Sequence, residues 1–262
     1  MSHTQQPLTA PFPYPGGKRA VVPMVWDALG DVGVYAEPFF GSGAVLLGRP
    51  HVPKVETVND LHGFLTNFWR ALQHDPAGVA QWADYTVSEL DLHARHAWLV
   101  RQHDFIEHMR SNPDYYDSKI AGWWVWGASC WIGHGWCASG SNGVHRQLPM
   151  VAGNTPGIGL HKKRPSVAGD RQGLGVHSSA WHARPAVQGS HPASNGRIFC
   201  AQDHGILSWF QALAERLRRV RICCGDWKRV CTPAVLYGAG DTAIFLDPPY
   251  SHSERDPRLY AV

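Results

Sequence analysis

VGVYAEPFFGSGAVLL, residues 32–47, is the stretch whose reading decides the fold. Val32 to Glu37 reads as a short strand that ends before Pro38. Gly41 and Gly43 then allow a tight turn and a close approach of backbone to a ligand, with no Cβ in the way. Gly43 to Leu47 opens a helix. The spacing is not G-x-G-x-x-G, and no Lys-Ser/Thr pair follows, which argues against a Walker-type phosphate loop. Taken alone, the string fits a plain strand-to-helix turn as well as a ligand loop.

Working outward, the same alternation continues on both sides. Lys18 to Leu29 reads as a helix started by Gly16-Gly17. Lys54 to Asn59 reads as a second strand. Leu61, Phe64, Leu65, Phe68 and Leu72 recur at helical spacing until Asp75-Pro76 closes that helix. Asp60 lies about 20 residues after the glycines, the distance at which an acidic side chain meets ribose hydroxyls in a nucleotide-binding βαβ unit. It equally suits an N-cap of the helix that follows.

The pattern loosens from Ala77. Residues 85–120 are rich in His, Asp and Arg and include helices. Residues 121–137, AGWWVWGASCWIGHGWC, form a Trp-rich block that reads as core before it reads as a base platform. Residues 138–198 turn to Gly, Ser, Pro, His, Lys and Arg with little periodicity. Their strongest basic cluster is His161-Lys162-Lys163-Arg164-Pro165. Order returns with a helical stripe of Ile206, Leu207, Phe210, Leu213, Ala214 and Leu217. Val220 to Cys224 is a strand, and Thr242 to Leu246 is an apolar strand after a Gly240-Asp241 turn. Strand–helix alternation at both ends predicts an α/β fold with a parallel sheet and a central insertion.

Composition bounds the function without naming it. The 262 residues suffice for one large α/β domain, with or without a smaller second one, and for a full core. A formal charge of +3 does not by itself announce a nucleic-acid binder, so a local basic patch has to carry that property. Six cysteines without a C-x-x-C pair read as reduced thiols, and the 16 histidines lack metal-ligand spacing, so no metal is expected. No basic segment followed by an apolar stretch opens the chain, and no run of about 18 apolar residues crosses a membrane.

The most informative string for chemistry is Asp247-Pro248-Pro249-Tyr250, directly after the apolar strand. The two prolines stop the strand and expose carbonyl oxygens that have no neighbouring N–H groups. An Asp carboxylate and a Pro carbonyl accept both hydrogens of an exocyclic amine, and a Tyr ring offers a stacking face for the base that carries it. At the carboxyl edge of a parallel sheet this is a functional loop rather than a structural Pro-Pro turn. Either adenine or cytosine satisfies the motif.

Four elements in order resemble the Dam-type adenine-specific DNA methyltransferases. They are Pro11 to Lys18 (PFPYPGGK), Tyr35 to Val45, then Val58-Asn59-Asp60 with Asn67-Phe68-Trp69, and Asp247 to Tyr250. The order, with the cofactor motif first and the catalytic motif last, is that of the family's α group. The resemblance implies a Rossmann-like S-adenosyl-L-methionine-dependent methyltransferase sheet, with residues 1–76 and 199–262 as the catalytic domain. Residues 77–198 would be an inserted target-recognition region, in which Lys162, Lys163, Arg164, Arg171 and Arg184 meet phosphates or guanine edges. It further implies that Tyr14 shapes the methionine end of the cofactor site and that Lys18 contacts the cofactor or its carboxylate. Pro38, Phe39, Gly41 and Gly43 would line the cofactor, and Asp60 would hold the ribose. Asp226-Trp227 would meet the cofactor's adenine, and Asp247 would stand beside the methyl group. Asp247, Pro248 and Tyr250 would be the catalytic set, acting on a flipped adenine in double-stranded DNA without a metal. The implied protein is a cytoplasmic monomer of a bacterium or phage-infected cell. Family members continue well beyond the point equivalent to Val262, so the resemblance implies a sheet that is C-terminally incomplete here. Cytosine-N4 or RNA methylation, and a fragment that binds without turnover, remain the competing readings.

Overall fold

The computed structural model describes residues 8–14, 16–102, 104–131, 136–137, 205–238 and 240–248. The basic cluster at 161–165, Arg171, Arg184, Pro249 and Tyr250 lie outside the described residues.

A 3-10 turn at Arg19–Val21 leads into α1 (Val22–Leu29). The helix anticipated from Lys18 therefore begins later. Pro23 sits in its first turn, the one place where a missing N–H costs nothing. There follow β1 (Val34–Glu37), α2 (Ala44–Leu47), β2 (Val55–Asp60) and α3 (Gly63–His74). Next come α4 (Pro76–Ala83), α5 (Glu89–Leu99), α6 (Asp104–Ser111) and α7 (Ser118–Cys130). The described chain resumes with α8 (Gly205–Leu217), β3 (Val220–Cys224), α9 (Pro233–Leu236) and β4 (Thr242–Ile244).

The strands form one parallel sheet in the order β3-β2-β1-β4. The chain steps from β1 to β2 to β3 in one direction, then returns to β4 on the other side of β1. Strand β4 is shorter than the sequence suggests, although Phe245 N–H still donates to the Ala36 carbonyl (2.9 Å). All four residues of β1 are buried, including Glu37. A strand covered on both faces reads as a continuous apolar run, which is why residues 32–37 carried so clear a signal.

Helix α3 packs over β2 and β3, and α7 and α8 pack against α3. The core is aromatic: Phe12, Phe68, Trp69, Trp124 and Phe210 meet in edge-on or tilted pairs with centroids 5.0–6.1 Å apart. Trp124 and Trp126 of the Trp-rich block are buried in it. Three helices begin where short side chains accept a first-turn N–H. Asp75 serves Gly78, Ser88 serves Asp91, and Asp117 serves Ile120. Helix α5 is tied to the block by Arg95, whose guanidinium lies 4.1 Å from the Tyr85 ring centroid and 4.2 Å from that of Trp126.

Residues 8–14 strap the helical layer to the sheet. Trp209 Nε1–H donates to the Thr9 carbonyl (3.1 Å), and Ser129 Oγ–H donates to that of Pro11 (3.2 Å). Buried Phe12 anchors the strap, which delivers Tyr14 and Lys18 to the carboxyl edge of the sheet. The five described cysteines, Cys130, Cys137, Cys223, Cys224 and Cys231, form no disulfide with one another. No helix among the described residues is long and apolar enough to cross a membrane.

Candidate active site at the carboxyl edge of the sheet

Asn59 and Asp60, at the end of β2, stitch three strand ends together. Asn59 Nδ2–H donates to the Pro38 carbonyl (3.1 Å) and to the Gly225 carbonyl (2.9 Å), joining the loops after β1 and β3. Phe40 N–H donates to the Asn59 carbonyl (2.9 Å), and Gly225 N–H to that of Asp60 (3.0 Å). The Asp60 carboxylate accepts Gly41 N–H on one oxygen and His62 N–H on the other, both at 2.9 Å. Asp60 thus braces the glycine loop. The N-cap of α3 is His62, whose Nδ1 accepts Leu65 N–H at 3.1 Å.

The glycine loop is held by these bonds and by Trp69, whose Nε1–H donates to the Gly41 carbonyl (3.1 Å). Gly41 has φ 50° and Gly43 has φ 64°, conformations that disfavour a side chain. A Cβ at Gly41 would also fall 2.6 Å from the Tyr14 ring, and one at Gly43 would fall 2.6 Å from the Phe40 ring. The glycines therefore let two aromatic rings close directly onto backbone.

Between this loop and the end of β4 lies an open cleft. Its walls are Tyr14 and Gly16 to Lys18, Glu37, Phe39 to Ser42, the start of α2, Phe245 and Asp247. It sits between β1 and β4, where the strand order reverses. Open parallel sheets bind ligands at such a point, because the loops leaving the two strands diverge there.

Of the residues expected at a cofactor site, Tyr14, Lys18, Phe39, Gly41 and Asp247 line the cleft. The others stand behind or beside it. Pro38 offers its carbonyl to Asn59, Gly43 is the N-cap of α2, and Asp60 holds Gly41 from the rear. Asp226 caps the short turn Trp227–Val230 by accepting Lys228 N–H at 2.9 Å. Its neighbour Trp227, 40% exposed, faces Phe39 with centroids 6.3 Å apart, a pair of rings across the ends of β3 and β1. Pro248 is exposed directly after Asp247.

Three ionisable groups share the cleft. Lys18 Nζ lies 2.7 Å from Asp247 Oδ2, and it also donates to the Gly16 carbonyl (3.0 Å). Glu37, only 3% exposed, accepts Tyr35 O–H on Oε2 at 2.9 Å. Burial pushes its carboxyl up to about 8. The hydrogen bonds from Tyr35 and Leu46 oppose that shift, and the negative charges of Asp247 and Glu56 add to it. Glu37, Gly16, Gly17 and Phe245 were not singled out as site residues from the sequence. For Glu37 a signal was present: a carboxylate in the last position of an otherwise apolar buried strand has no structural reason to be there. Burial also raises Asp60, against three backbone hydrogen bonds that lower it, and pushes the His62 imidazole down to about 4.

The cleft therefore has aromatic walls, a backbone floor, one cation and two carboxyls. That donor set suits a ligand with an aromatic ring and a charged tail. Among the described residues, no group of three His, Cys, Asp or Glu is placed to hold a metal ion.

Comparison with known proteins agrees with this geometry. No curated protein matches the chain. The family model of the D12 class N6 adenine-specific DNA methyltransferases matches residues 14–122, from Tyr14 in the cleft wall to the middle of α7. Over those residues the chain is similar to the D12 class of N6 adenine-specific DNA methyltransferases.

Proposed function

We propose that the cleft between β1 and β4 binds S-adenosyl-L-methionine and that Asp247 and Pro248 present a flipped adenine of double-stranded DNA to it. One observation carries the reading: Asp247, from the end of the chain, lines the same cleft as the glycine loop of residues 39–42. A donor site and an acceptor site that share one wall are what a direct group transfer needs.

The residues present fit the cofactor. The backbone floor at Gly41 and Ser42, the rings of Tyr14 and Phe39 and the Glu37 carboxyl would hold it, with Asp60 as the brace nearest its ribose. Asp226 and Trp227 would border its adenine ring. When bound, S-adenosyl-L-methionine supplies an electrophilic methyl group. The adenine amine is a poor nucleophile because its lone pair is delocalised into the ring. Asp247 and the Pro248 carbonyl would accept its two hydrogens and hold the lone pair toward the donor. Tyr250 would stack on the base, and the cost of unstacking is met by contacts of the flipped nucleotide. Residues 77–198 are assigned to target recognition, with the Lys and Arg of 161–184 on DNA phosphates or base edges. The protein would act as a monomer wherever DNA is in reach, in the cytoplasm of a bacterium or infected cell.

The test is transfer of a tritiated methyl group from S-adenosylmethionine to unmethylated DNA, followed by nucleoside analysis, with Asp247→Ala as control. Label in N6-methyladenine, lost in the control, is the expected result. Label in N4-methylcytosine would keep the chemistry and overturn the base. Folded protein that transfers no label would overturn the catalytic reading of these residues.

A further inference from the structure

The geometry points to Lys18 as a positioning residue for Asp247 rather than a ligand of the cofactor's carboxylate: its ammonium takes Oδ2 and leaves Oδ1 facing the target amine. This rests on the methyl-transfer reading above.

The observation is the 2.7 Å contact between Lys18 Nζ and Asp247 Oδ2. Both side chains are about a quarter exposed (24% and 25%), so the pair adds little to stability. Its consequence is chemical. A carboxylate with two free oxygens can meet an amine in several geometries. With one oxygen on an ammonium, a single acceptor remains, and it shares the amine with the Pro248 carbonyl. Lys18 is itself placed from two sides. Its Nζ donates to the Gly16 carbonyl (3.0 Å), and its carbonyl accepts Val21 N–H (2.9 Å) at the start of the turn before α1.

The experiment compares wild type, Lys18→Met and Lys18→Arg in the full chain. It measures kcat at saturating cofactor and equilibrium binding of S-adenosylhomocysteine. The expected result for Lys18→Met is a kcat lower by about 100-fold, the scale of a misplaced reacting group. Its S-adenosylhomocysteine binding should stay within about twofold. Lys18→Arg should recover most of kcat. Weakened S-adenosylhomocysteine binding in Lys18→Met, with kcat unmoved, would make Lys18 a cofactor ligand and overturn the inference. Wild-type protein that binds S-adenosylhomocysteine but transfers no methyl group would fail one step earlier, at the reaction itself, and would overturn the role together with it.

Discussion

The two ends of this sheet handle charge in opposite ways. At the amino end, Glu56 is 3% exposed and both of its oxygens are taken. Arg216 grips them at 2.7 and 2.9 Å, and Arg49 reaches one at 3.2 Å. The two guanidinium groups go on to the Leu46 and Val32 carbonyls, and Arg49 also lies 5.0 Å from the Trp26 ring centroid. At the carboxyl end, Glu37 is as deeply buried, but it has a phenol and a backbone N–H where Glu56 has two cations. Buried charge that is fully paired holds elements together; buried charge kept short of partners awaits one. The difference separates a structural cluster from a candidate functional one in the same sheet.

The sharpest way to break this comparison is to treat both carboxylates alike. Glu56→Gln leaves two cations facing a neutral amide inside the fold. The expected cost is about 3–5 kcal/mol, read from a urea melt. A cost under about 1 kcal/mol would mean that the amino-end cluster is not structural. Arg216 lies in α8 and Glu56 in β2, so the same melt tests whether this pair docks α8 onto the sheet.

Glu37→Gln should do the reverse. The folded value of about 8 lies above the ordinary value of 4.5, so the folded chain keeps a proton that the unfolded chain gives up. The stability tied to that proton is full below about pH 4.5 and drains away as pH rises toward 8. Glutamine can still accept the Tyr35 hydroxyl and never ionises. The variant should therefore be more stable than wild type at pH 7, by up to about 3 kcal/mol, with the gap widening to pH 8. It should also bind S-adenosylmethionine more weakly. Parallel stability–pH curves for the two proteins would remove the case that Glu37 is strained for function.

Much of this arrangement was legible in the sequence because it rests on backbone. The strand–glycine–helix string around Gly41, the stripe from Ile206 to Leu217 and the strand Val220–Cys224 all emerged where periodicity and turn chemistry put them. Boundaries were lost where local rules compete, as at Lys18, where a 3-10 turn precedes Pro23. Side-chain roles were less legible, because they depend on what the fold brings across. Asp60 sits at the expected distance from the glycines, yet both of its oxygens are already engaged by Gly41 and His62 N–H. Nothing local tells Lys18 that Asp247 will meet it; only the return of β4 to the side of β1 does that. Glu37 was hidden inside a motif read for its glycines.

His62 gives the smallest effect and the finest edge to the comparison. Its Nδ1 accepts Leu65 N–H at the start of α3, so the ring must be neutral, with its proton on Nε2. Burial against Phe64 and Trp124 lowers the imidazole to about 4 from 6.5. The unfolded chain thus takes up the proton first on acidification. The cap's contribution is complete above about pH 6.5 and is lost as pH falls toward 4. His62→Asn keeps an N-cap acceptor that does not titrate. At neutral pH the variant should match wild type closely. At pH 5.5 it should be the more stable by about 1 kcal/mol, since one unit of separation in pKa is worth roughly that much. Equal losses on acidification in the two proteins would show that His62 is not the acid-sensitive group. The carboxyl edge would then owe its pH response to Glu37 and Asp60 alone.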